Sequence, residues 1–389
     1  MPGDDVAWEP YGYYRTRSNI AKFLEEYDYD SYEETRPDSE DELARFWDAA
    51  VEDTGIVWET PYEQVLDTSD GYPFAEWFVG GELNVTQTLL DKWVDRAPDR
   101  PAYVWEGENG ESLEYTYAEL EAETNRVANA LRDHGIGPGD AVGILFPLHP
   151  NAIVASLACF KVGAVQTHLF AGYGSTAIQQ RLEDSGAELV FLADGYQRTG
   201  STHDLKEKFN EVVDSTPGVE TVVSYEHVGT DTELEGVTEI PWTEFVDGRS
   251  TSAETEIMAA DDPAFIAYSS GTTGEPKGTI HTHGSMLAVG TKEGRYHFDV
   301  AEGDVFSWVT DFGWLVVPAF LIGGAQALGA TVVLVGGAPN YPEGDRLWNM
   351  VERHGITTLG ISPTGVRGMR AESETPRADH DLSTLRTLA

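Results

Sequence analysis

From about residue 86 onward, short apolar runs of strand character alternate with amphipathic segments of helix length, and this rhythm constrains the fold more than any other feature of the chain. Residues 102–105, 141–146, 164–170 and 188–193 read as strands, and the spacing predicts further strands over 264–268, 305–309, 331–335 and 357–360. Between them, Thr116-Tyr117-Ala118-Glu119 has the form of a capping box that opens a helix running to about His134, where a Gly-rich stretch (135–139) stops it. Residues 151–162 and 175–185 read as further helices. Apolar strands alternating with helices predict an α/β fold of mainly parallel sheets, flanked by helices.

A chain of 389 residues exceeds one simple core. Residues 1–85 break the rhythm: they are rich in Tyr, Trp and acid, with a nearly continuous acidic tract from Glu25 to Glu42. Phe46, Trp47, Trp58, Trp77 and Phe78 are expected to anchor this segment on a larger body. Residues 225–262, acidic and weakly patterned, read as a loop-rich connector.

The charge balance excludes whole classes of partner. With 67 acidic residues against 25 basic ones, the formal net charge is −42, which repels nucleic acid and anionic membranes. An acidic surface for a cationic partner competes with adaptation to a salt-rich cytoplasm. The even spread of the acids and the scarcity of lysine favour salt adaptation, and so a halophilic source. The apolar stretch 314–328 is interrupted by Pro318, Gly323 and Gly324 and is too short to predict a membrane span. Cys159, the only cysteine, sits in an apolar run and reads as a small buried hydrophobe. No intramolecular disulfide can form, and residues 1–5 show no basic, apolar leader, so a cytoplasmic location is expected.

Chemistry concentrates in Tyr268-Ser269-Ser270-Gly271-Thr272-Thr273-Gly274-Glu275-Pro276-Lys277-Gly278, which follows an apolar strand. Glycines let backbone N–H groups turn toward an anion, hydroxyls add donors, and Lys277 supplies a point charge for phosphate. The order is not that of a Walker loop, because Lys277 precedes a glycine rather than Ser or Thr. The string resembles the phosphate-loop signature of the adenylate-forming superfamily, which includes acyl-CoA synthetases, luciferases and peptide-synthetase adenylation domains. That resemblance implies that Ser269, Ser270, Gly271, Thr272, Thr273, Gly274 and Lys277 wrap the phosphates of ATP.

Further stretches are similar to acetyl-CoA synthetases in particular. They are Trp308-Val309-Thr310-Asp311-Phe312-Gly313-Trp314, Gly337-Ala338-Pro339-Asn340-Tyr341-Pro342, Ser362-Pro363-Thr364 with Arg367, and Trp77-Phe78-Val79-Gly80-Gly81-Glu82-Leu83-Asn84. The resemblance implies an N-terminal cap over residues 1–85 and an AMP-binding domain over 86–389. It also implies an acyl pocket walled by Trp314, Leu315 and Val316, and CoA contacts through Arg198, Val316 and Asn340. Besides mild departures in the phosphate loop, Ser269 where Thr is common and Glu275 where Lys or another polar residue is usual, two further positions depart from the family pattern. Val316 stands where the family has a threonine, and Ser201 stands where the family's second arginine closes Arg-x-Gly-Arg.

The implied reaction is ATP-dependent activation of a short-chain carboxylate, acetate or propionate, to an acyl-adenylate. Transfer to CoA follows, releasing AMP, with Mg²⁺ neutralising the departing pyrophosphate. The family's lysine that promotes adenylation and its C-terminal domain have no match up to Ala389. The 389-residue chain is therefore expected to be incomplete, to carry no catalytic residue or metal ligand of its own, and not to complete adenylation alone. Two other readings remain open: a ligase for a longer or acetoacetate-type acid, and a non-catalytic nucleotide- or CoA-binding remnant.

Overall fold

The computed structural model describes residues 10–269, 277–372 and 379–389. Two large sheets organise it. Edge to edge, the seven-stranded sheet runs Thr238–Pro241, Thr221–Tyr225, Leu189–Ala193, Ala141–Phe146, Val165–Phe170, Pro263–Ser269 and Lys277–Thr282. The six-stranded sheet runs Thr387–Leu388, Thr358–Gly360, Val305–Trp308, Thr331–Val335, Pro101–Glu106 and Ser112–Thr116. In each sheet every pairing is parallel except one, where a hairpin adds an antiparallel edge strand: Lys277–Thr282 in the first and Ser112–Thr116 in the second.

One helix between the sheets touches both. Helix Pro150–Lys161 contacts strands of each sheet, and all twelve of its residues are buried. A helix enclosed on every side must be apolar all round, which is why this segment lacks the polar stripe of a surface helix. Helix Tyr117–Asp133 packs beside it and begins with the capping box foreseen in the sequence: Thr116 Oγ1 accepts from the Glu119 amide at 3.2 Å, and Glu119 Oε2 accepts from the Thr116 amide at 2.9 Å. Cys159 lies fully buried in the enclosed helix, and burial pushes its thiol pKa up, which suits a packing role.

The N-terminal segment docks through aromatic contacts. Phe23 sits 4.7 Å from Tyr296 of the larger body, whereas Trp47 and Trp77 at 6.2 Å and Trp58 and Phe78 at 5.4 Å pair within the segment itself, measured between ring centroids. The connector 225–262 is less irregular than its composition suggests. It contains the edge strand Thr238–Pro241, the short helix Trp242–Val246 and the strand Met258–Ala259. Trp242 and Phe245 are buried and both pack on Phe191, at 5.6 and 5.8 Å, and a pair one helical turn apart is too short a repeat to stand out among so many acids. Among the described residues no helix is long and apolar enough to cross a membrane, and the apolar stretch near 320 forms the helix Val317–Gln326 in the core.

Candidate ligand cleft

In open parallel sheets, ligands bind outside the carboxyl ends of the strands, where the loops diverge. Three such loops of the six-stranded sheet meet here. Strand Val305–Trp308 leads into 309–316, Thr331–Val335 into 336–342, and Thr358–Gly360 into the helix Pro363–Glu372. The other sheet supplies the hairpin Gly195–Arg198/Ser201–Asp204, which follows strand Leu189–Ala193. Together they enclose a cleft of about 710 Å³. Its lining includes Arg198, Trp314, Leu315, Val316 and Asn340, five residues gathered from stretches more than 140 positions apart. Arg367 does not line it, whereas Ser362, Thr364, Gly365 and Met369 do.

The loop after strand Val305–Trp308 reaches the other sheet at Gly313. A Cβ there would sit 2.1 Å from the Phe170 amide nitrogen, so only glycine permits the loop to pass this close to the end of strand Val165–Phe170. Phe170 in turn packs on Trp314, with centroids 5.9 Å apart. Trp314 and Leu315 keep 51% and 47% of their surface exposed, an apolar lip at the mouth of a cleft. Behind it, Trp308 is fixed by Phe298 and Phe320, each 5.4 Å away.

Arg198 is the cation of the cleft wall. Its Nη1 lies 3.6 Å from Asp311 Oδ1, and its side chain stays 47% exposed. Burial raises the Asp311 pKa, and Arg198 partly opposes that shift. The opposite wall, Gly337-Ala338-Pro339-Asn340, is braced by Arg346. This buried guanidinium donates to the carbonyls of Gly336 at 2.9 Å, Ala338 at 2.8 Å and Glu106 at 2.7 Å. Sequence reasoning passed over Arg346. Its position in the first turn of helix Arg346–His354 gives no hint that it reaches back to three carbonyls.

The expected phosphate loop is only partly visible. Residues 270–276, which include Ser270, Gly271, Thr272, Thr273 and Gly274, lie outside the described residues. Their flanks form an antiparallel ladder in which Ser269 pairs with Lys277, so the segment links two neighbouring strands of the seven-stranded sheet. Lys277 is exposed at the start of the edge strand. A chain of contacts joins this region to the cleft. Tyr268 lies 5.3 Å from the Arg181 guanidinium, which lies 4.2 Å from the ring of Tyr173; Tyr173 meets Phe170 at 5.3 Å, and Phe170 meets Trp314.

Comparison with known proteins makes the class of this twin-sheet body explicit. Residues 90–389 match the AMP-binding enzyme family, and residues 32–88 match the acetyl-coenzyme A synthetase N-terminus. The chain belongs to the AMP-binding enzyme family.

Among its relatives, the acetyl-coenzyme A synthetase of Mycolicibacterium smegmatis is 37% identical over 354 residues, which cover 90% of this chain and 37% of that protein. The acetyl-coenzyme A synthetase of Chlorobaculum tepidum is 34% identical over 360 residues, covering 92% of this chain and 54% of that protein. The solved acetoacetyl-CoA synthetase from Streptomyces lividans superposes with a TM-score of 0.87 at 30% identity, covering 98% of this chain and 59% of that one. The chain spans about half the length of the curated relatives it matches, or less.

Proposed function

We propose that this chain belongs to an acid–thiol ligase that activates a short-chain carboxylate with ATP, forms an acyl-adenylate and passes the acyl group to CoA, releasing AMP and pyrophosphate. The observation that carries the reading is the cleft: the residues implied in acyl and CoA contact, on three separate stretches, line one cavity at the carboxyl ends of the strands. Residues 1–85 would serve as an N-terminal cap and 86–389 as the AMP-binding body.

The roles follow from the chemistry of the side chains. Trp314, Leu315 and Val316 offer an apolar wall for a small acyl group. Arg198 offers a cation for the anionic nucleotide end of CoA, and Asn340 a polar contact along its length. Ser269 to Lys277 would hold the phosphates of ATP. Since carboxylate and triphosphate repel one another, and a chain of net charge −42 repels both, local donors must dominate the site. Mg²⁺ would arrive with the nucleotide. Among the described residues no group of three or more His, Cys, Asp or Glu side chains is placed to hold a metal. The acidic surface would suit a salt-rich cytoplasm.

The acyl group is the open variable. Val316 removes a hydroxyl that the family places in the pocket, which favours a substrate that needs no donor there. Acetate and propionate fit first, and acetoacetate is the second reading, given the likeness to the Streptomyces lividans structure. The test is carboxylate-dependent ATP–pyrophosphate exchange in KCl-rich buffer, with acetate, propionate, butyrate and acetoacetate. It should be run on this chain and on a form extended to the length of its relatives. Exchange with one of these acids supports the reading and names the acyl group. Absence of exchange in both forms, with CoA still bound, points to a non-catalytic binding role.

A further inference from the structure

Glu108 sits in the turn between strands Pro101–Glu106 and Ser112–Thr116, yet its carboxylate does not close that turn. Asn109 does so, its Oδ1 accepting from the Glu111 amide at 3.1 Å. Glu108 instead reaches away. Its Oε1 accepts from the amides of Thr199 at 2.8 Å and Ala338 at 2.5 Å, and its Oε2 accepts from the amide of Gly200 at 3.0 Å. The residue is 6% exposed.

These bonds join two segments that have no neighbouring positions in sequence: the Arg198-Thr199-Gly200 turn and the Gly337-Ala338-Pro339-Asn340 turn. Each carries one of the polar residues that face the cleft. One carboxylate therefore sets the distance between Arg198 and Asn340. The surroundings are shaped for it. Thr199 adopts a left-handed conformation with φ of 52°, which turns its amide and that of Gly200 inward. Gly337 is required beside it, because a Cβ there would lie 2.3 Å from Glu108 Cγ. Bonds from backbone amides to a carboxylate are charge-assisted, and a buried carboxylate held by three of them is fixed in place. Among the described residues, the side-chain hydrogen bonds of Glu108 all go to these two turns.

We infer that Glu108 is a positioning residue for CoA: it clamps the two turns that bear Arg198 and Asn340, and thereby sets the geometry with which the cleft receives the nucleotide end of CoA. The inference rests on the assignment of this cleft to CoA. Glu108 does not touch the ligand in this scheme, so it acts through Arg198. A residue that merely supports the fold would weaken CoA binding independently of Arg198, whereas a positioning residue is coupled to it.

The experiment is a double-mutant cycle read by calorimetric titration of CoA into the 389-residue chain, using wild type, Glu108→Gln, Arg198→Ala and the double variant, with near-ultraviolet circular dichroism as the check on folding. The expected result is a loss of CoA affinity of about tenfold in Glu108→Gln, and a much smaller effect of Arg198→Ala in that background than in wild type. Should Glu108→Gln not fold, Gly337→Ala displaces the carboxylate without removing it and is expected to give the same loss and the same coupling to Arg198. Equal CoA affinity in wild type and Glu108→Gln, or strictly additive losses, overturns the positioning role while leaving the cleft as the CoA site. Absence of CoA binding by wild type overturns both, and so separates failure of the parent reading from failure of this one.

Discussion

The docking of the N-terminal segment hinges on Asp53, the last residue of helix Glu40–Asp53. Its carboxylate takes a bidentate pair from Arg295, at 2.6 Å from Nε and 3.0 Å from Nη2, and a third bond from the Tyr296 hydroxyl at 2.8 Å. The Asp53 side chain is 8% exposed and that of Arg295 24%. Burial and the nearby Asp53 charge raise the Tyr296 pKa, which keeps the hydroxyl a donor. Removing one partner of a buried pair costs about 3–5 kcal/mol, against about 0–1 kcal/mol for an exposed one. Asn retains one acceptor, so Asp53→Asn is expected at the lower end, about 3 kcal/mol. With about 2.1 cal/mol/K of unfolding entropy per residue over 389 residues, that corresponds to roughly 4 °C in Tm if the chain unfolds as one unit. The assay is urea unfolding in 0.5 M and 3 M KCl, followed by tryptophan fluorescence. Salt shortens the Debye length to about 3 Å at 1 M, which abolishes exposed pairs but spares buried ones. A loss below about 1 kcal/mol, or one that vanishes in 3 M KCl, refutes the assignment of Asp53 as a buried clamp.

Other consequences are open to measurement. Restoring the hydroxyl with Val316→Thr should lower the preference for acetate over acetoacetate about fivefold, the worth of one net hydrogen bond to the keto oxygen, as read by kcat/KM in the exchange reaction of the extended form. Burial lowers the His168 pKa to about 3, so the folded state stays neutral while the unfolded chain takes a proton near pH 6.5. Stability is therefore fully present above pH 6.5 and falls as pH drops toward 3, by up to about 1.4 kcal/mol per pH unit; His168→Phe should flatten that slope in pH-dependent urea titrations, and an unchanged slope counts against it. Finally, if the acidic surface is an adaptation to salt, Tm should climb steadily from 0.1 M to 3 M KCl as self-repulsion of the −42 charge is screened, whereas a flat profile would favour a surface made for a cationic partner.

What the sequence revealed and what it hid follow from the range of the forces involved. Apolar periodicity is a local property, so strands such as Ala141–Phe146 and Thr331–Val335 and the capping box at Thr116 were legible. Strand pairing is not local. Nothing in residues 101–106 and 331–335 announces that they lie side by side, with Val332 opposite Tyr103. The antiparallel edge strands were missed for a related reason. Ser112–Thr116 is half polar because one side faces solvent, and Lys277–Thr282 is exposed along most of its length. The site divided in the same way. Arg198, Trp314, Leu315, Val316 and Asn340 stood out through motif resemblance, while Glu108 and Arg346 did not. In a chain with 67 acidic residues a single glutamate carries no signal, and its meaning arises only when three distant amides converge on it.

That concealment bears on how such a cleft tolerates an acidic surface. Exposed acids are interchangeable, because each interacts with solvent and salt far more than with any neighbour. Buried acids are not. Asp53, Glu108 and Asp194 each receive several donors: Asp194 accepts four successive amides, from His227 to Thr230, at 2.7–3.0 Å. These donors lower the Asp194 pKa against the opposing effect of burial. Charge in this protein therefore acts in two separable ways. The many exposed carboxylates interact chiefly with solvent and salt, and a few enclosed ones fix loops individually. The cleft depends on the second kind, so substitutions that neutralise exposed acids should leave CoA affinity unchanged when compared at 3 M KCl, and a single neutralisation at position 108 should not.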